Sequence, residues 1–502
     1  MGVMRFLINP ESLLDDCDDL VAPYISGMDG RVFPTRVVRR GNELECMRQQ
    51  SDSGRLNLAC PIQGFGSPVL CTSSLREREQ PYHLALELAR GKISQVRDQL
   101  GAWDVLGMRI PSKFFAPYKE AHHLFSKAIA CQEQLEACAK LSISAITEIC
   151  RAGELLTQAY AEQQLAARRQ RMAHAPVSLG CDLGRSPVAD IDSQRFCQAF
   201  SAAIVPVEWR VIEPVEGSYH WEMNDQQLDW CEEHRLLPCG GPLLDLSPGG
   251  LPDWLFTWES DLLNLQSFVC DFVETAISRY LGRIRQWEIS SCGNTGGVLT
   301  LSEENRLALV ARSLETAHQV DEEIQLMIRV DQPWGAYQVR GQHRLSPLQF
   351  VDALLRSGVG LSRVNLEIAV GFQPHGSAYR DLLEFSRLID LWSCLGVPLQ
   401  LTLAFPTASG GDSCAHPDVE VGASSWKAGW SEHGQAEWIR SYLPLLMSKP
   451  AVIGVFWAQW SDSVPHRFPH SGLMRSDSTE KPSLQEVIDA RSVWHGNADP
   501  KE

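Results

Sequence analysis

Three aspartates, Asp245, Asp331 and Asp462, stand at or just past the ends of strand-like apolar runs at 237–244, 324–330 and 452–457. Carboxyls so placed can pair as general acid and general base, or accept hydrogen bonds from a hydroxyl-rich ligand. The same placement suits helix capping and loop support. Trp209, Trp334, Trp457 and Trp460 occupy comparable positions, where an indole face either stacks on a sugar ring or fills a core. Asn294, Gln373, His375 and Gln459 add hydrogen-bonding groups near the same ends. Asp182 is a weaker case of the same kind. Glu288, inside a strand, reads as a satisfied buried carboxylate. Cys292 has no His or Lys close in sequence and reads as an inert thiol. Fifteen cysteines include no CxxC pair, so neither a zinc site nor a disulfide framework is expected, and no metal or cofactor is assigned.

Strand-like runs at 177–181, 202–206, 237–244, 284–289, 324–330, 364–370, 397–403 and 452–457 alternate with helix-period stretches such as 263–280 and 303–317. Eight strands with crossovers predict a (β/α)8 TIM barrel, whose chemistry belongs at the C-terminal ends of its strands. Short apolar runs separated by turn residues within the first hundred residues predict a small β-sandwich-like domain, and a 3–4 apolar spacing from Leu124 to Tyr160 predicts helix. The expected organisation is a β-rich accessory domain at 1–105, a helical hairpin or linker at 106–174, the barrel at 175–490 and a tail at 491–502. Fourteen of the fifteen tryptophans follow residue 173, which marks the barrel as a different kind of sequence.

A hydrophobic content of 44% and a charged content of 21% exclude a disordered or fibrous chain, and a net charge of −17 argues against a partner that binds through nucleic-acid phosphates. No apolar run reaches the roughly 20 residues of a membrane span. The first nineteen residues lack the pattern of a secretory signal, so a cytoplasmic location is expected.

Residues 209–225 (WRVIEPVEGSYHWEMND), 251–255 (LPDWL), Trp287-Glu288-Ile289, Asp331, Gly371-Phe372-Gln373-Pro374-His375, 454–462 (GVFWAQWSD) and Lys481-Pro482 share their order and spacing with one family. They resemble the catalytic barrel of family-10 glycoside hydrolases, the endo-β-1,4-xylanases. The resemblance implies hydrolysis of O-glycosyl bonds in a β-linked oligo- or polysaccharide held at the barrel mouth. It also implies two catalytic glutamates, and in its register Cys292 stands at the acid/base position and Leu403 at the nucleophile position. A leucine cannot attack an anomeric carbon. Two readings therefore stand. In one, a carbohydrate-active protein works through other carboxylates, Asp331, Asp245 and Asp462, with Trp209, Asn294, Trp334, Gln373, His375, Trp457, Gln459 and Trp460 on the sugar. In the other, a catalytically inactive barrel binds carbohydrate or acts as a scaffold.

Overall fold

The computed structural model describes residues 2–14, 22–171, 177–340 and 343–495. The acidic run at 15–19, the expected junction at 174–175 and the tail beyond 495 lie outside them.

Eight parallel strands close into a barrel: β1 (Ser178–Asp182), β2 (Ala202–Val205), β3 (Leu237–Gly240), β4 (Gln286–Ser291), β5 (Gln325–Asp331), β6 (Leu361–Ala369), β7 (Leu399–Ala404) and β8 (Val452–Trp457). Each pairs with the next, and β8 pairs with β1 in the register Phe456↔Gly180. The strands form because their sequences supply apolar residues at alternate positions for the layer beneath the surrounding helices. On β5 these are Leu326, Ile328 and Val330, and on β7 Leu399, Leu401 and Leu403, all buried in one continuous core. The intervening residues face the barrel axis. Deep in the barrel Phe456 fills that axis. Gly180 gives it room, since a Cβ there would lie 2.2 Å from the Phe456 ring.

The polypeptide before the barrel forms two four-stranded sheets and three helices, Leu84–Val105, Ser112–Ala130 and Leu135–Arg171. Both sheets share a core with the first and third helices, through residues such as Phe6, Ile25, Leu56, Leu88 and Ile146. Helix begins at Leu84, inside the stretch read as β-rich, where Leu84, Leu88, Ala89, Ile93 and Val96 already follow helical spacing. Pro34 separates two strands, Val32–Phe33 and Arg36–Arg40, that join different sheets. Gly153 does not break its helix.

This region is bonded firmly to the barrel. Arg168 donates to the carbonyls of Met447 (2.8 Å), Lys449 (2.6 Å) and Val452 (2.8 Å), tying the third helix to the entry of β8. Lys92 is buried against Asp381, and the attraction of that carboxylate outweighs burial and holds its ammonium charged. Ser67 and Val69 donate backbone N–H groups to Ser425 and Tyr379 in the loops after β7 and β6. Among the described residues no helix is long and apolar enough to cross a membrane.

Gly91 lies where the first helix crosses a strand, and a Cβ there would come within 2.0 Å of the Cys71 carbonyl oxygen. Helix propensity favours alanine over glycine by about 1 kcal/mol. The backbone clash outweighs that gain, so Gly91→Ala is expected to destabilise the protein by about 2 kcal/mol or more. Urea unfolding of the full chain checks this, and a stabilised variant would show that the crossing yields.

Candidate functional site

The C-terminal mouth of the barrel holds an unusual density of buried charge. On β4, β5 and β6 the axis-facing residues include Glu288, Arg329 and Glu367. Arg329 pairs with Glu288 at 2.7 Å and with Glu367 at 3.2 Å. Glu288 also accepts from Asn365 Nδ2 at 2.6 Å, and Asn365 exchanges hydrogen bonds with Thr402 on β7. From the loop after β8, Arg467 reaches back to Glu367 at 3.2 Å and to the Cys292 thiol at 3.7 Å. Burial raises the Glu288 pKa above the ordinary carboxylate value, with Arg329 opposing it.

Asp331 ends β5 and is fully buried. The Cys292 thiol donates to its Oδ2, and Thr295 Oγ1 lies 3.3 Å from the same oxygen. Its Oδ1 has no partner. Burial, with the nearby Glu367 charge, pushes its pKa up to about 7. Burial, reinforced by Asp331, also pushes the Cys292 thiol well above its usual value, so it is not a thiolate. Cys292 and Gln332, immediately after β4 and β5, both adopt the left-handed region, φ 55° and 47°. Such conformations cost on the order of 1–3 kcal/mol each and persist where surrounding contacts enforce them.

Above Arg467 opens a cavity of about 350 Å³, lined by Asp182, Asp245, His375, His416, Gln459 and Trp460 among others. Asp182 ends β1 and accepts from the Gly184 N–H at 2.8 Å. Burial raises its pKa to about 7. Asp245 follows β3 and accepts from Ser291 Oγ at 2.5 Å and the Ser247 N–H at 2.9 Å. Burial would raise Asp245 too, but the Arg467 charge and these hydrogen bonds outweigh it and hold it below the usual carboxylate range. The cavity therefore presents one carboxyl that keeps its proton near neutrality and one that does not. His375 is held below its ordinary value by burial and by Arg467, so it is neutral.

Of the residues singled out in the sequence, Asp182, Asp245, His375, Gln459 and Trp460 meet on this cavity. Asp331 and Asn294 lie behind its wall, where Asn294 donates to the Asp331 carbonyl at 2.9 Å and accepts from its N–H at 3.2 Å. Asp462 is turned to Lys481, 2.6 Å away, and accepts from the Gly472 N–H and from Gln459. Trp209 is stacked on Phe272 at 4.6 Å and donates to Glu213. Trp457 donates to the Ser471 carbonyl from within the core. Trp334 packs edge-on against Phe385 beneath Arg380. Gln373 sits in a short antiparallel pair with residues 420–421. Leu403 faces away from the mouth, in the apolar layer with Trp438, Ile439 and Leu443, because alternate residues of β7 are leucines committed to that layer. Its axis-facing neighbours, Thr402 and Ala404, carry no carboxyl.

Arg329, Glu367, Arg467 and His416 were not foreseen. The first two carried a usable signal, opposite charges inside strands that must be buried on both faces. Arg467 and His416 sit in loops that no periodicity marks. Asp412, Asp462 and His466 bring potential metal-ligand atoms within 4.8 Å of one another. Lys481 already neutralises Asp462, and Asp412 accepts from the His470 N–H at 2.9 Å and lies 3.0 Å from the His466 imidazole.

A carboxyl held near pH 7 in the fold and near 3.9 when unfolded keeps a proton that the unfolded chain loses between those values. The folded state thus binds more protons across that window, and its stability falls as pH rises through it. Relative to Asp182→Asn, the wild type is expected to lose up to about 1.4 kcal/mol per pH unit from pH 4 to 7, then run parallel. Urea midpoints across pH 4–8 check this, and parallel curves throughout would show that Asp182 does not hold its proton.

The family comparison agrees with the barrel. The sequence model described as Glycosyl hydrolase family 10 matches residues 205–403. A GH10 structure from Paenibacillus barcinonensis is 17% identical, covering 66% of this chain and 97% of its own, with a TM-score of 0.48. Native xylanase 10B from Thermotoga maritima is 14% identical, covering 68% and 99%, with a TM-score of 0.48. Xylanase 10B from Thermotoga petrophila, solved with xylobiose, is 14% identical, covering 67% and 97%, with a TM-score of 0.46.

Proposed function

We propose, from a barrel that resembles the family-10 glycosyl hydrolases, that this chain binds a β-linked sugar at the barrel mouth and cleaves an O-glycosidic bond there with Asp182 and Asp245. The observation that carries the reading is the opposed protonation of these two carboxyls on one cavity, the pattern that assigns an acid and a base. Asp182 donates its proton to the departing glycosidic oxygen. Asp245 takes a proton from the water whose oxygen bonds to the anomeric carbon, and the C–O bond to the leaving group breaks. Neutral His375 and the Gln459 amide, whose Oε1 has no protein partner, meet the sugar hydroxyls. Asp331 and Asp462 are not assigned to the chemistry, the first because it is sealed behind Cys292 and the second because Lys481 holds it.

One observation favours a second reading, a silent sugar-binding barrel. Arg467 lines the mouth and pairs with Glu367, and neither Thr402 nor Ala404 offers a carboxylate nucleophile.

A panel of aryl β-glycosides with wild type, Asp182→Asn and Asp245→Asn tests the first reading. Each substitution is expected to lower kcat by about 100-fold or more. Sugar binding without turnover in the wild type selects the silent barrel, and neither binding nor turnover overturns both.

A further inference from the structure

The cavity is roofed. Strands β3 and β7 stand four places apart in a ring of eight, on opposite sides of the mouth, yet their loops touch. A Cβ on Gly249, after β3, would lie 2.9 Å from His416 Nε2, after β7. Gly249 also has φ +79°, a conformation other residues resist. The β7 loop is clipped to the β8 loop by two backbone hydrogen bonds, the His416 N–H to the His466 carbonyl at 2.8 Å and the His466 N–H to the Cys414 carbonyl at 3.0 Å. Asp412 locks the clip by contacting the His466 imidazole at 3.0 Å and accepting from the His470 N–H at 2.9 Å. On the facing side Arg210, after β2, pairs with Asp253 at 3.0 Å, tying the β2 and β3 loops together. Beneath this roof the floor is Arg467, fixed by Glu367.

A groove that takes an internal stretch of polymer must be open at both ends. A space of about 350 Å³ between roof and floor lies at the low end of small-ligand pockets and has room for about one or two sugar rings. We infer that the site selects a chain end or a short glycoside, a mono- or disaccharide unit, and excludes internal segments of a polysaccharide. This rests on the proposed sugar-binding reading and specifies its substrate class.

The test is binding, independent of turnover. Full-length protein is titrated by tryptophan fluorescence with β-1,4-linked di- and hexasaccharides of xylose, glucose and mannose, and run in affinity gels containing the soluble polymers. The disaccharide of one series is expected to bind, its hexasaccharide to gain less than threefold in affinity, and the polymer to leave migration unchanged. His416→Ala, which removes the imidazole that lies over Gly249, is expected to raise the hexasaccharide-to-disaccharide affinity ratio at least threefold. Tenfold tighter hexasaccharide binding or polymer retention by the wild type overturns this inference while leaving the sugar-binding reading intact. An unchanged ratio in a folded His416→Ala overturns the roof as its cause. Binding of no oligosaccharide overturns the sugar reading itself.

Discussion

A single guanidinium organises the mouth of this barrel. Arg329 lies only 8% exposed, facing the barrel axis at the edge of the mouth cavity. A cation in that position is tolerable only if paired and hydrogen-bonded, because an uncompensated buried charge costs several kcal/mol. Glu288 and Glu367 supply the opposing charge from the two neighbouring strands, and Glu367 also accepts a hydrogen bond from the guanidinium. Each carboxylate then recruits a further partner. Glu288 reaches Asn365 and, through it, Thr402, so a polar chain runs across four consecutive strands. Glu367 draws Arg467 down from the last barrel loop.

The second recruitment divides the carboxyls of the mouth into two populations. Beneath Arg467, Asp331 is shut away with a thiol for company, and its backbone is held by Asn294. Above it, Asp182 and Asp245 remain on open space but feel different fields. Arg467 and two hydrogen-bond donors stabilise the charge on Asp245, whereas Asp182 has mainly one backbone N–H to set against burial. Two like side chains acquire different acidities through their nearby charges and their hydrogen-bond count.

The barrel was legible because its strands are apolar runs broken by turn residues, a signal that survives heavy divergence. β3 shows the limit: the run at 237–244 resolves into Leu237–Gly240 and a separate pair at Leu244–Asp245. Site residues were legible only where the chain's local geometry settles direction. Asp245 is placed by the strand end itself, whereas Trp209 and Trp457, at equally suggestive positions, turn into the core because Phe272 and the Ser471 carbonyl offer better partners. Leu403 illustrates the sharpest constraint. In a strand of period two a shift of one residue exchanges inside for outside, so a register inferred from resemblance can name a residue that faces the wrong layer. Arg467 and His416 depend on loop conformation over long sequence separations, and nothing local in the sequence specifies that.

The three hydrogen bonds of Arg168 bear on how the chain reaches this state. They join a helix that precedes the first barrel strand to carbonyls 279 to 284 residues further along, at the entrance to the last one. On a ribosome, the partners of that guanidinium emerge only after the first seven barrel strands have been made. Until then the long helix lacks three of its acceptors, and β1 and β7 lack the strand that lies between them. Ring closure and the Arg168 contacts therefore both wait on the segment that enters β8, and contacts of such sequence separation form slowly. The helix that leads into the barrel is thus latched to the strand that closes it.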